Sequence, residues 1–221
     1  MQEFEEAEVF EIMQSLFISS IWKQHLSEGH LHKIFMVHNR VKTKAKLRQL
    51  GQVGGPYDFN LRDIAKVKDA VEGCIQDQMH FYQFTAKGET ANPQTAAMRP
   101  QDIQDLALSK LLELVYAARF QDMADQLQVS ECITTVFPEA ARAAHAVQGV
   151  TIDESVPDCL QIGRVYMGKG NHSSPVKPLI HTASACGYLE LLATAAQSGR
   201  AVLLEGDTCS GVFKQIVFSL T

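Results

Sequence analysis

Apolar residues recur every three to four positions through most of the first 138 residues, which is the spacing of amphipathic helices. The pattern predicts long helices over residues 4–17, 30–48, 61–84 and 102–120. One or two shorter helices are expected between 122 and 137, before Pro138. Gly29 interrupts the pattern, so we expect a break between the first two helices. Residues 1–138 are therefore predicted to form a helical bundle.

Glycine-rich and polar segments mark the turns between these helices. Residues 51–56 hold three glycines and a proline, which predicts a tight turn. Asn60 is a good helix N-cap, and Asp63 follows three residues later, where its side chain can reach back to the cap. Residues 85–101 are small and polar and contain two prolines, so a surface loop is expected there.

Composition changes after Pro138. Residues 139–177 contain more Val, Gly, Pro and Thr, which predicts a linker with one or two short strands, within 149–153 and 160–167. Residues 178–221 predict a helix over 179–197 capped by Gly199, then a buried strand over 201–204. The predicted fold class is mainly α, a helical bundle followed by a truncated α/β start.

A loop that begins and ends with glycine follows the predicted strand. It comprises Gly206, Asp207, Thr208, Cys209, Ser210 and Gly211, which is the frame of a phosphate-binding P-loop. Backbone N–H groups of such loops cradle phosphates at the start of a helix. Val212 and Phe213 stand where Lys and Ser/Thr are required, so the cation and the Mg²⁺ ligand are missing. We expect a degenerate nucleotide-binding loop.

Charge and composition narrow the classes of partner. A net charge of −5 and an isoelectric point near 5.9 argue against a general binder of nucleic-acid backbones, and no nucleic-acid motif is present. No apolar run reaches the roughly 18 residues that suggest a membrane span, so no membrane partner is expected. The acidic N-terminus does not resemble a signal peptide. Five scattered cysteines predict reduced thiols in a cytosolic or nuclear protein, although no targeting signal is visible.

Three local patterns invite other chemistry. His30, His32 and His38 could suggest a metal site, but the first two point to different faces of a helix and lack Cys or carboxylate partners at i+3 or i+4. We therefore predict no metal site. Cys209 has no base near it in sequence, so we also predict no catalytic residue. The basic face of helix 30–48 is typical of a solvated surface, with contact to RNA or a partner subunit as the alternative.

Residues 54–63 read Gly-Gly-Pro-Tyr-Asp-Phe-Asn-Leu-Arg-Asp. This segment resembles the one that opens the helical lid in the AAA+ modules of the midasin family, dynein-related ATPases of large-ribosomal-subunit assembly. Residues 31–41 and 114–120 resemble the helices before and after that segment. Residues 162–167 and 179–197 resemble the run-in to the next module. The resemblance covers nearly the whole chain, in the family's order.

The resemblance implies a piece that spans the end of one AAA+ module and the start of the next. The parent protein would be a chaperone-like ATPase that uses ATP and Mg²⁺ to remodel pre-60S ribosomal particles in the nucleus, with neighbouring AAA+ modules as partners. Arg62 matches the sensor-2 arginine, which contacts a γ-phosphate from the start of a lid helix; its simpler interpretation is an exposed first-turn arginine.

Two departures limit what the resemblance implies for this chain. The Walker B strand is absent, so the chain alone is expected neither to hydrolyse ATP nor to hold a cofactor. Residues 212–221 do not resemble the family, as an intron read through after Gly211, or a mis-predicted gene model, would explain. A transcript encoding Val212 and Phe213 within a longer continuous frame would contradict that explanation. A non-catalytic helical interaction module with a decayed nucleotide loop is the alternative function.

We expect the isolated chain not to bind an ATP analogue at micromolar concentration. The predicted lid is not accompanied by the nucleotide-binding core of its AAA+ module. The glycine loop lacks the lysine whose charge-assisted hydrogen bond to phosphate is worth about 1.5–3 kcal/mol. Isothermal titration calorimetry with a non-hydrolysable analogue and Mg²⁺ measures this directly, and clear saturable binding would refute the expectation.

Overall fold

The computed structural model describes the helical bundle and parts of the region that follows it. The described residues are 4–17, 25–86, 99–120, 122–138, 152–153, 159–162, 165–168, 189 and 192–199. The helices are α1 (Glu6–Leu16), α2 (Glu28–Lys46), α3 (Leu61–Ala86), α4 (Pro100–Tyr116) and α5 (Met123–Val136). A 3-10 turn over Ala117–Arg119 follows α4, and residues 192–197 are also helical. The strands are β1 (Ile152–Asp153), β2 (Cys159–Ile162) and β3 (Val165–Gly168).

The predicted bundle and the mainly α fold class are confirmed. α5 is one helix, and Asp122 caps it by accepting from the backbone N–H of Ala124 at 3.1 Å. Residues 85–86 and 100–101, predicted as parts of a surface loop, are helical, because α3 extends to Ala86 and α4 begins at Pro100. Residues 87–98 lie outside the described residues. The predicted strand 201–204 and the glycine loop after it lie outside the described residues.

The start of α2 differs from the prediction. α2 begins at Glu28, so Gly29 lies inside the helix and does not break it. Ser27 is the N-cap, and its backbone N–H donates to Nδ1 of His30 at 2.9 Å while its hydroxyl lies 2.9 Å from the same nitrogen. This local cap starts the helix before the glycine, where the prediction placed a break.

α4 begins earlier than predicted and ends in a tighter turn. Pro100 occupies the first turn, where its missing N–H costs no helical hydrogen bond. Asp102 accepts from the backbone N–H of Arg99 at 3.2 Å and so stabilises this start. After Tyr116 the chain tightens to 3-10 as far as Arg119, so the predicted helix over 102–120 is an α-helix followed by a 3-10 turn.

The hydrophobic core lies where α3 and α4 pack against each other. α2 and α5 pack together and against α4, while α1 packs against α3. Most residues of α4 are buried, which makes it the central helix. The fully buried aliphatic side chains include Ile34, Val37, Val41, Ile64, Val71, Leu108, Leu111 and Ile133. Burial of one such side chain stabilises the fold by roughly 1.5–3 kcal/mol.

An ion pair ties α2 to α4 beside this core. Nζ of Lys33 donates to the two carboxylate oxygens of Asp105 at 2.7 and 2.6 Å, and Asp105 is buried. Burial opposes ionisation of Asp105, but the contact with Nε2 of His30, 3.4 Å from Oδ1, and the hydrogen bonds from Lys33 outweigh it and lower its pKa. The stabilisation by this charge is therefore present at neutral pH and is lost as the pH falls through that lowered pKa.

The region predicted as a linker contains a three-stranded antiparallel sheet in the order β1-β2-β3. The strand predicted over 160–167 is a hairpin, in which β2 pairs with β3 in the register Leu160–Met167 and Ile162–Val165. β3 packs against α3, and Ile162, Val165 and Tyr166 are buried. The hairpin is therefore packed onto the bundle.

The C-terminal part of the last predicted helix is confirmed by residues 192–197, in which Leu192 and Ala193 are buried. Gly199 has a φ of 63° and donates its N–H to the carbonyl of Ala196 at 3.1 Å. This left-handed glycine is the predicted C-cap. Residues 179–188 lie outside the described residues.

Candidate functional site

The first turn of α3 is fixed by a reciprocal cap. The backbone N–H of Arg62 donates to Oδ1 of Asn60 at 2.9 Å, and the N–H of Asn60 donates to Oδ2 of Asp63 at 2.9 Å. Side chains thus satisfy N–H groups that a helix start leaves without a helical partner. The predicted cap is confirmed, and it sets the direction in which α3 leaves the preceding loop.

Asp63 also joins this cap to the end of α4. Its Oδ1 accepts from Nη1 of Arg119 at 2.6 Å and from Nζ of Lys66 at 3.3 Å. Asp63 is only 2% exposed. A carboxylate buried to this extent costs several kcal/mol unless charged and hydrogen-bonding partners compensate it. The three partners of Asp63 are therefore required together.

Aromatic rings pack beneath Arg119. Its guanidinium carbon lies 4.6 Å from the centroid of the Phe59 ring, a cation–π distance. Phe59 is buried, with its centroid 5.9 Å from that of Tyr116 and 6.0 Å from that of Phe120. Tyr57 covers Phe120 at 4.6 Å. Arg119 is thus held between a carboxylate and a ring face.

Arg62, one residue before Asp63, is exposed. Its backbone is fixed by the cap, but within the described ranges its guanidinium has no hydrogen bond or ion pair. The first turn of a helix also carries partial positive charge from its N–H groups. Arg62 therefore presents a cation on a rigid base, an arrangement that suits a phosphate group.

The turn that leads into this segment is held by α5. The N–H of Gly51 donates to Oδ2 of Asp125 at 3.0 Å. Gly51 has a φ of 77°, in the left-handed region, and a Cβ there would collide with the ring of Tyr57. Both observations require glycine at this position. The turn predicted over residues 51–56 is confirmed.

His38 lies behind the aromatic rings and connects α2 to α4. Its Nδ1 lies 2.9 Å from the hydroxyl oxygen of Tyr116, and both residues are buried. Burial lowers the pKa of His38 to about 4, although the nearby charge of Asp63 opposes this shift. Burial likewise raises the pKa of Tyr116. Both side chains are therefore neutral at pH 7 and form a structural hydrogen bond.

Only one of the predicted site elements falls where its geometry is described. Arg62 is at the head of α3, as the prediction placed it. The loop Gly206–Gly211 lies outside the described residues, so its geometry stays a prediction. Arg119 is not singled out by the sequence. The available signal was its place in the segment 114–120, but that segment does not reveal that Arg119 reaches Asp63.

The histidines considered for a metal site make other contacts. Nδ1 of His30 binds the Ser27 cap, His38 binds Tyr116, and the ring of His32 stacks on Phe10 at 4.4 Å. Among the described residues, no cluster of three His, Cys, Asp or Glu side chains could hold a metal ion. None of the described helices has the length and apolar character needed to cross a membrane.

Cys74 and Cys132 are both buried and unpaired, which confirms the prediction of free thiols for these two residues. Burial raises the pKa of both thiols, that of Cys74 to about 12. Reactive cysteines carry a lowered pKa, so these two are packing residues.

An open groove between α2 and α5 is a second candidate surface. It is lined by Asn39, Arg40, Thr43, Lys44, Glu131, Cys132 and Thr135. Arg40 and Lys44 supply two positive charges on the α2 wall, and Glu131 supplies one negative charge on the α5 wall. The groove could receive a polar partner of net negative charge.

The helical bundle matches the model of a known protein family. The model described as the Midasin AAA lid domain matches residues 11–138, more than half of the chain. The matched range contains α2 to α5 and the cap at Asn60. Comparison with curated proteins and with solved structures found no match to this chain.

Replacing Arg119 by Ala should destabilise the bundle by about 2–3 kcal/mol, because it leaves the buried Asp63 with fewer partners. Replacing Arg62 by Ala should change the free energy of unfolding by no more than about 0.5 kcal/mol, because its side chain is exposed. Urea unfolding followed by circular dichroism measures both values. Equal losses for the two variants would contradict the assignment of Arg119 as the structural arginine.

The pKa of about 4 for His38 predicts acid sensitivity. Between about pH 6.5 and 4 the unfolded chain binds a proton at this histidine and the folded protein does not, so stability falls as the pH falls. The loss from pH 7 to 4.5 should be about 2 kcal/mol and should disappear in His38→Gln. Urea midpoints at both pH values test this, and an unchanged pH dependence in the variant would exclude His38 as its source.

Proposed function

Because the chain belongs to the midasin AAA lid family, we propose that its helical bundle closes over ATP bound to a neighbouring AAA+ core and contacts the γ-phosphate through Arg62. The observation that carries this proposal is the exposure of Arg62 on a first turn whose backbone is fixed by Asn60. Family membership supports the coarser conclusion that this is part of an AAA+ ATPase with neighbouring AAA+ modules.

The rigidity of the first turn is what would make Arg62 effective. A guanidinium that is already oriented loses little freedom when it meets the developing charge on a transferred phosphoryl group. Asp63 and Arg119 hold the turn from below, while Arg62 faces outward. ATP with Mg²⁺ would supply the reacting phosphates, and the Mg²⁺ ligands would come from the neighbouring core.

We extend the proposal to the biological role on the resemblance of the sequence. The parent protein would use ATP hydrolysis to remodel pre-60S ribosomal particles in the nucleus, acting as a chaperone of ribosome biogenesis. Residues 206–211 would begin the next module. Their glycine frame supports this assignment, whereas Val212 and Phe213 leave the loop without the residues that bind phosphate and Mg²⁺.

A non-catalytic interaction module is the competing function. The groove between α2 and α5 favours it, because Arg40 and Lys44 there could bind an acidic partner without any nucleotide. The first function requires Arg62 for ATP hydrolysis, whereas the second requires the charged groove for binding of a partner.

The experiment combines this chain with the AAA+ core that precedes the lid in a midasin-family ATPase and measures steady-state ATP hydrolysis. Arg62→Ala should lower kcat by about 100-fold with little change in KM, because the contact forms mainly in the transition state. Arg62→Lys should recover part of the rate, since it restores the charge but not the fork geometry.

Arg99→Ala is the matched control. Arg99 is another exposed arginine at a helix start, with its guanidinium paired to Asp102, and it stands at the far end of the α3–α4 pair. Its loss should leave kcat unchanged. Equal activity of Arg62→Ala and Arg99→Ala would overturn the sensor role and favour the interaction module.

A further inference from the structure

Residues 192–197 cross α3 at a position where only glycine fits. A Cβ added to Gly73 would lie 2.7 Å from Cα of Ser198 and closer still to the carbonyl group of Gln197. Real Cβ atoms do not approach backbone atoms this closely, so a side chain at position 73 forces the two segments apart. Glycine within a helix is otherwise unfavourable, and its presence here is explained by this close approach.

Gln197 connects three elements at this crossing. Its Nε2 donates to Oδ2 of Asp77 on α3 at 2.7 Å and to the backbone carbonyl of Tyr166 on β3 at 3.1 Å. Sγ of Cys74 lies 4.0 Å from the carbonyl oxygen of Thr194, one turn before Gln197. The amide group thus joins α3, the hairpin and the C-terminal helix at one point.

α3 carries this contact at a fixed distance from Arg62. Fifteen residues separate Arg62 from Asp77, which corresponds to about 22 Å along an α-helix. In sequence, the glycine loop begins at Gly206, nine residues after Gln197. α3 therefore carries Arg62, the proposed phosphate contact, near its start. Further along, the same helix contacts residues 192–197, which precede the glycine loop in sequence.

We propose that Gly73 and Asp77 form a docking seat for residues 192–199, and that Gln197 is the positioning residue that fixes where this segment, which precedes the glycine loop in sequence, lies on α3. The seat would hold residues 192–199 at a constant distance from Arg62. The importance of the distance to Arg62 rests on the proposed function. The docking of residues 192–199 does not rest on that function, because it requires no nucleotide.

Hydrogen exchange of the whole chain tests the seat. The amides of Ser198 and Gly199 donate to the carbonyls of Thr194 and Ala196 and report on this segment. In Gly73→Ala their exchange should accelerate at least tenfold, while amides in the middle of α2 keep their protection. Gly29→Ala is the matched control, because its Cβ would meet only Oγ of Ser27, at an ordinary 3.5 Å.

Variants of Gln197 test the positioning role without altering α3. Gln197→Glu removes the donor and places a carboxylate beside Asp77, so the same amides should exchange at least tenfold faster. Gln197→Lys retains a donor for both oxygens and should restore protection to within threefold of the original chain. Ala196→Glu adds the same negative charge at an exposed neighbouring position and should have no such effect.

A distance measurement separates positioning from stability alone. Spin-labelled amino acids at positions 62 and 196, both exposed, should give a narrow distance distribution that broadens in Gly73→Ala and in Gln197→Glu. Unchanged exchange and an unchanged distribution in both variants would overturn the proposal. If Gly73→Ala also accelerates amide exchange in α2, the comparison of Gln197→Glu with Gln197→Lys tests the proposal instead. Failure here would leave the ATPase experiment on Arg62 unaffected.

Discussion

The buried carboxylate of Asp63 holds the head of the bundle together. It accepts from the backbone of Asn60, from Arg119 after α4 and from Lys66 on its own helix. A charge removed from water must keep such partners, so the cap of α3 and the turn after α4 cannot shift independently. The aromatic residues beneath Arg119 are fixed by the same contact, since the guanidinium rests on the ring of Phe59.

This constraint separates the roles of two arginines that lie close to the same carboxylate. Arg119 points inward and stabilises the fold, whereas Arg62 leaves the rigid first turn toward solvent. One cation is thus paired with a buried carboxylate, and the other is left exposed at the start of α3. Residues 192–197 are held on the same α3 at a second point. There the side chain of Gln197 donates to Asp77 and to the carbonyl of Tyr166.

Features that depend on neighbours in sequence were predictable. The cap of Asn60 by Asp63 requires a spacing of three residues, and the helices require only the recurrence of apolar positions. The break expected at Gly29 was wrong because Ser27 and His30 form a cap that starts the helix earlier. The hairpin of β2 and β3 was missed because strands this short give too few alternating positions to locate a turn.

The amino-acid sequence was sufficient to infer the mainly helical fold, the resemblance to midasin lids and the candidate role of Arg62. These follow from local periodicity and from a contiguous segment, residues 54–63. The folded structure was needed to find that Asp63 pairs with Arg119, 56 residues away, and that residues 192–197 cross α3 at Gly73. Side chains far apart in sequence meet only after the helices pack, and packing geometry is absent from a linear pattern.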